Sequence, residues 1–210
     1  MINIMVNQYA IAIIVTFIVL CAPLGAALAA CFEPDPAQAE GEYKPHPVPG
    51  DVCADGTIYA GLSPDTGTAM YTTAMDMPER GQWSDIVKEV GASSSRQGTK
   101  NVQAVKDRLF SKQSYHRLKA NAIYVCDNVY MHGHGDWYLP AEAELNVLFN
   151  NRYKIKNFNY TGEFPDGLYW SSTEESPLSA FAKNFNIGYR INLDKENFVS
   201  YRCVRKDASY

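Results

Sequence analysis

The fold is decided by the stretch from Asp136 to Asn151, which reads DWYLPAEAELNVLFNN. Leu145, Leu148 and Phe149 recur at helical spacing and form one apolar face. Proline suits the first position of a helix, where its missing N–H costs nothing. We therefore predict a helix that begins at Pro140 and ends at Asn150-Asn151.

The residues before this helix indicate a folding device rather than a reaction centre. Trp137, Tyr138 and Leu139 are large aromatic and aliphatic residues, and we expect them in the core together with Trp170 further along the chain. Asp136 is expected to accept a hydrogen bond from a backbone or indole N–H.

Outward from this stretch, strand-like and helix-like patterns segregate. Thr57–Gly61 and Met70–Thr73 predict a hairpin, and Trp83, Ile86 and Val90 predict a short helix. Apolar residues at helical spacing between Thr99 and Val125 predict two helices or one broken helix. Three strand-like runs follow at 168–172, 180–185 and 198–204. The pattern predicts an α+β domain, with an antiparallel sheet that joins N- and C-terminal strands and two or three helices in the middle.

The N-terminus has the order of residues found in export signals. No charged side chain occurs from Met1 to Phe32, and an apolar run from Tyr9 to Leu20 is followed by small residues. The segment Leu28-Ala29-Ala30-Cys31 resembles a lipobox, which predicts lipidation of Cys31 and a cell-surface or outer-membrane lipoprotein. Cleavage near Ala30 into a periplasmic or secreted protein and an uncleaved apolar helix are the alternatives, and all three place the rest of the chain outside the cytoplasm.

We expect a signal peptide at 1–30, a linker at 31–50, a folded domain at 51–206 and a tail at 207–210. The linker contains five of the eleven prolines and most of the excess acidity of a 210-residue chain with a net charge of −4. Residues 51–210 carry eighteen basic and nineteen acidic side chains. This near-neutral balance favours no nucleic-acid partner, and the membrane is contacted only through the N-terminal anchor.

The cysteines suit an oxidising compartment. We expect Cys126, in a helical pattern, to pair with Cys203, in the last strand, because the bond would close a long loop. Cys53 then has no assigned partner if Cys31 is lipidated.

Four ordered motifs carry a family resemblance: Asp136 to Pro140 with Glu144-Leu145, Tyr169 to Glu174, Asn184-Phe185 before Gly188, and Arg202 to Arg205. They resemble the Legionella collagen-like protein C-terminal domain family over about residues 50–206. The resemblance implies a C-type-lectin-like fold with a helix tied by a disulfide to the last strand. It also implies export, and the namesake is an adhesin that binds sulfated glycosaminoglycans as a trimer.

Reaction chemistry is not indicated by the sequence. His132-Gly133-His134-Gly135-Asp136 offers metal donors, but the alternating glycines favour a turn. Ser171, Ser172 and Thr173 lack a nucleophile-elbow motif, and Glu174-Glu175 are expected to be solvated in a loop. We predict no catalytic residue, cofactor or metal, and hence no enzyme.

The strongest local binding signal is basic. Residues 100–119 carry six basic side chains and one acidic side chain. The candidate polyanion-binding residues are Lys106, Arg108, Lys112, Arg117 and Lys119. The alternative is a solvated helix surface. Two functions are thus expected: an envelope or surface adhesin for a glycan, polyanion or protein, or an assembly subunit that contacts proteins or further copies of itself.

Overall fold

The computed structural model describes residue 31 and the ranges 47–84, 88–109, 121–160 and 164–207. Within these ranges the elements run β1 Ile58–Leu62, β2 Ala69–Thr72, α1 Gly98–Leu109, α2 Ala122–Asn128, α3 Glu142–Ile155, β3 Leu168–Glu174, β4 Ser179–Asn184, β5 Arg190–Asp194 and β6 Val204–Lys206. The α+β class is confirmed. The predicted apolar helix of residues 1–30 lies outside the described residues.

Two three-stranded antiparallel sheets organise the domain. The first has the order β1-β2-β6, so the N-terminal hairpin pairs with a C-terminal strand as the segregated pattern predicted. That strand shares only Val204 with the predicted run at 198–204. Tyr138 extends this sheet beyond β6 through two backbone hydrogen bonds with Val204, of 2.8 and 3.0 Å. The second sheet has the order β3-β4-β5. The finer C-type-lectin-like assignment stays a prediction.

Three sequence predictions need correction. The described residues at 81–84 and 88–97 contain no helix, and Trp83 is buried at a bend of the chain. Ile86, the middle residue of the predicted short helix, lies outside the described residues. The third helix begins at Glu142 with Ala141 as its N-cap, so Pro140 lies before the helix. The same helix continues four residues past Asn151, to Ile155. Strand β5 was not predicted, because its alternating residues give only two apolar positions.

One core joins both sheets and the helices. The expected core residues are confirmed: Trp137, Tyr138, Leu139 and Trp170 are all at most 3% exposed. Indole N–H groups in this core donate to backbone carbonyls, Trp170 to Gly81 at 2.9 Å and Trp83 to Ser171 at 2.8 Å. The large aromatic side chains are therefore both buried and hydrogen-bonded, which fixes the packing of the sheets.

Two disulfides connect distant parts of the chain. Cys126 of α2 is bonded to Cys203, just before β6, across 77 residues. Cys31 is bonded to Cys53 and packs beside Tyr59 and Tyr71 of the first sheet. A sulfur in a disulfide has no valence for a thioether-linked lipid, so the predicted lipidation of Cys31 is incompatible with this bond.

None of the helices in the described ranges has the length and apolar character that crossing a bilayer requires.

Candidate binding cleft

An open cleft of about 280 Å³ lies between α1 and the segment that leads into α3. Its lining is formed by Thr99, Val102, Gln103, Lys106, Asp127, Gly135, Asp136, Trp137 and Tyr138. Thr99, Gln103 and Lys106 come from α1, and Asp127 comes from α2. The buried residues of this lining, Val102, Trp137 and Tyr138, form what we call its floor and are largely apolar. The less buried residues, its rim, offer hydroxyl, amide, ammonium and carboxylate groups.

The charges at the rim are largely paired. Lys106 Nζ lies 2.8 Å from Asp127 Oδ2, and both side chains are more than half buried. Asp136 accepts a hydrogen bond from Arg205 Nε at 2.9 Å, yet 52% of its side chain remains exposed. The rim therefore combines a free face of a carboxylate with neutral donors, an arrangement suited to hydroxyl groups more than to a dense anion.

Glu144 determines the relative position of the two cleft walls. Its fully buried carboxylate accepts from Gly98 N–H, the first residue of α1, at 2.9 Å and from Ala141 N–H, the N-cap of α3, at 2.8 Å. Tyr138 Oη donates to the same carboxylate at 2.8 Å. Burial raises the pKa of Glu144 above its ordinary value, and these hydrogen bonds only partly oppose that shift. Glu144, which belongs to the motif around the start of α3, thus also fixes the first residue of α1.

The expected role of Asp136 is corrected by the structure. We expected its carboxylate to accept a backbone or indole N–H. Its carboxylate instead bonds Arg205, while the indole N–H of Trp137 donates to the carbonyls of Met131 and His134, each at 3.2 Å. Arg205 belongs to the family motif near the C-terminus, so the ion pair links that motif to the cleft rim.

The histidine-glycine run forms a turn, as expected. Met131 and His134 bridge each other around His132 and Gly133, which both have positive φ angles. His134 Nε2 lies 2.9 Å from Asp55 Oδ2, and His132 Nδ1 lies 3.0 Å from the Asp55 carbonyl. No group of three potential metal-ligating side chains is found in the described part of the chain. The turn thus holds the loop around Asp55, which precedes β1, against the rest of the domain.

The predicted polyanion site is only partly visible. Lys106 and Arg108 lie in α1, where Arg108 is exposed and Lys106 is committed to Asp127. Lys112, Arg117 and Lys119 lie outside the described residues. Within the described residues, only Lys106 and Arg108 of the five candidates are therefore placed, and the polyanion site stays a prediction.

The hydroxyls and carboxylate of β3 have structural roles. Ser171 Oγ donates to Phe181 O at 2.8 Å, and Thr173 Oγ1 donates to Ser94 O at 2.9 Å. Glu174 was expected in a solvated loop, which is wrong: it ends β3, is buried, and pairs with Lys195 Nζ at 2.5 Å. Burial of this pair depends on contacts with residues 88–91, which the local sequence pattern does not encode.

The α+β arrangement and its ordered motifs define the class of the domain. The profile of the Lcl C-terminal domain family matches residues 72–205, and the chain belongs to that family. Among solved structures, a fimbrial protein from Bacteroides ovatus is similar, with a TM-score of 0.41 and 14% sequence identity. The match covers 68% of this chain and 36% of the fimbrial protein. No curated protein matches the sequence.

Proposed function

We propose that the chain is an exported, non-enzymatic surface domain that recognises a glycan in the cleft between α1 and the Asp136–Tyr138 segment. The observation that carries this proposal is the cleft itself, with a polar rim over an apolar floor. Its volume is slightly below the range of about 300–1,000 Å³ typical of small-molecule sites, which suits a single sugar ring.

Export is supported by the two disulfides and by the apolar N-terminus. Because Cys31 is held by Cys53, we favour cleavage near Ala30 without lipidation. A non-enzymatic role is supported by the hydroxyls of β3, whose hydrogen bonds serve the fold rather than the cleft.

The ligand class follows from the rim. Asp136 can accept hydrogen bonds from sugar hydroxyls, and Thr99 can both donate and accept. Gln103 Nε2 donates to Asp107 at 2.7 Å, which leaves its second N–H and its carbonyl oxygen for a sugar. Two carboxylates stand beside a single lysine that is already paired, so the cleft favours a neutral sugar over a sulfated one. A polyanion would instead contact the exposed basic side chains of α1, Lys100 and Arg108.

The test compares these two surfaces. The protein is screened on an array of neutral and sulfated oligosaccharides, and affinity for each hit is measured at low and high salt. Gln103→Ala should weaken binding of a neutral sugar about tenfold, since a lost hydrogen bond is worth about 1–1.5 kcal/mol. Lys100→Ala, exposed on the same helix but outside the cleft, is the matched control and should have no effect.

Salt-sensitive heparin binding that is lost in Lys100→Glu and Arg108→Glu, with no neutral-sugar hit, would contradict the cleft proposal and favour the basic surface of α1. Absence of any glycan hit, with recovery of an envelope protein on pulldown, would favour the alternative role of an assembly subunit.

A further inference from the structure

The second sheet has an open edge at β5. This strand, Arg190–Asp194, pairs with β4 in five consecutive antiparallel positions. No strand in the described ranges pairs with its other side. An unprotected edge strand presents backbone donors and acceptors that a further strand can satisfy.

The register of β4 and β5 shows which backbone groups face outward. Asn184 N–H donates to Tyr189 O, and Lys195 N–H donates to Leu178 O, both at 2.9 Å. In an antiparallel ladder the bonding residues alternate, so the odd-numbered residues of β5 bond β4. Arg190, Asn192 and Asp194 therefore direct their N–H and C=O groups away from β4. Of these groups, the Asp194 carbonyl already accepts from Asn197 N–H at 3.0 Å and Asn197 Nδ2 at 3.1 Å.

The side chains of the same three residues are self-complementary. The strand reads RINLD, with a basic residue at its start, an acidic residue at its end and asparagine at its centre. When two copies are placed antiparallel about Asn192, Arg190 of each copy stands opposite Asp194 of the other. Centring the pair on Arg190 or on Asp194 would place like charges opposite each other, which is unfavourable.

We propose that β5 pairs with β5 of a second copy of this chain, about a two-fold axis through Asn192. The pairing joins two three-stranded sheets into one of six strands and closes at two copies. The outward backbone groups restrict the centre of the pair to residue 190, 192 or 194, and the charge pattern then selects Asn192 among these three.

The side chains are placed for this contact. The Arg190 guanidinium stacks over the Phe181 ring at 3.5 Å and is half exposed, so its orientation is held while its donors remain accessible. Its intramolecular carboxylates, Glu142 and Glu175, lie at 3.4 and 3.8 Å. Asp194 is exposed and has no ion-pair partner within the described ranges.

The test is sedimentation velocity of the wild-type protein and of two charge-reversal variants over a series of concentrations. Wild type should show a reversible monomer–dimer equilibrium. R190D and D194R, each measured alone, place like charges opposite each other twice and should weaken the dimer about tenfold or more. An equal mixture of R190D and D194R restores both opposite-charge pairs and should recover dimers. Lys100→Asp, the same charge change at an exposed position of α1, should leave the equilibrium unchanged.

A second variant keeps the test independent of any folding defect in R190D. Asn192→Pro removes an N–H that faces away from β4, so the monomer should retain its fold while the dimer is lost. Far-ultraviolet circular dichroism and the unfolding midpoint check the fold of each variant. A wild-type protein that stays monomeric, a trimer, or a mixture no better than the single variants would overturn the proposal.

Discussion

At the scale of single residues, Glu144 shows how one side chain can organise a site that it does not line. Its carboxylate accepts three hydrogen bonds, from the starts of α1 and α3 and from Tyr138. A change at Glu144 should therefore alter both the stability of the domain and the shape of the cleft.

Glu144→Ala should destabilise the domain by about 3 kcal/mol or more, because it leaves two buried N–H groups and a phenol without an acceptor. Glu144→Gln should cost less, since its amide oxygen can accept from the N–H groups and its NH₂ can donate to Tyr138.

The raised pKa of Glu144 sets the pH dependence of stability. The folded state binds the proton more tightly than the unfolded state, so wild type gains stability relative to Glu144→Gln as the pH falls through the folded-state pKa. Urea titrations of wild type and both variants at several pH values measure these differences in the free energy of unfolding. Equal destabilisation by Glu144→Ala and Glu144→Gln would contradict the expected order.

Asp55 has the opposite pH behaviour. Burial acts to raise its pKa, but hydrogen bonds from Thr57 and His134 outweigh burial and lower it below the ordinary value of 3.8. The stability that Asp55 contributes is therefore present above that value and is lost as the pH falls through the folded-state pKa. Asp55→Asn should cost about 1 kcal/mol at neutral pH and almost nothing in strong acid.

Denaturation of wild type and Asp55→Asn between neutral pH and strong acid tests whether the stability difference between them shrinks as the pH falls. Asp51→Asn, an exposed carboxylate in the same loop, is the matched control. A difference between wild type and Asp55→Asn that grows on acidification would refute the assignment.

At the scale of the elements, a buried ion pair holds the loop before α1 against β3. Glu174 accepts from Lys195 at 2.5 Å and from the N–H groups of Val90 and Gly91 at 3.0 and 2.8 Å. Lys195 also donates to the carbonyls of Lys88 and Pro177. Both charged groups of the pair thus make further hydrogen bonds, which is the condition under which a buried charge is tolerated.

Lys195→Met should destabilise the domain by about 3–5 kcal/mol, because it leaves the buried Glu174 carboxylate without its positively charged partner. The double variant Lys195→Met with Glu174→Gln should recover part of this loss, since the amide oxygen still accepts the two N–H bonds without a charge. Thermal unfolding of wild type, the two single variants and the double variant forms a complete cycle. Additive effects of the two substitutions would show that the pair is not coupled.

The helices and strands also show how much of the fold could be predicted from the sequence. The β1–β2 hairpin and α1 follow from local periodicity, and the buried aromatic residues follow from size and hydrophobicity. Strand β5 could not be recognised, because only Ile191 and Leu193 are apolar in it and it depends on β4 for its partner. The cleft and the buried Glu174–Lys195 pair could not be predicted either, because both arise from segments that meet only after folding.

At the scale of the whole molecule, the two disulfides join sequence-distant segments of the described chain. Cys126–Cys203 connects the central helices to the strand that completes the first sheet, and both cysteines are fully buried in the core. Cys31–Cys53 joins the predicted linker to the same sheet. The bond therefore holds Cys31, the first residue of the predicted linker, beside the first sheet.

The Cys31–Cys53 bond leads to the last prediction. In exported protein isolated without reductant, peptide mapping should recover Cys31 and Cys53 in one linked peptide, and neither thiol should react with an alkylating reagent. Cys53→Ser should free the Cys31 thiol and lower stability by about 3 kcal/mol, the value expected for a loop with a sequence separation of 22 residues. A diacylglyceryl group on Cys31 together with an alkylated Cys53 would refute the disulfide and restore the lipoprotein assignment. Cys126→Ser is the control, since it should leave the Cys31–Cys53 peptide intact while breaking the other bond.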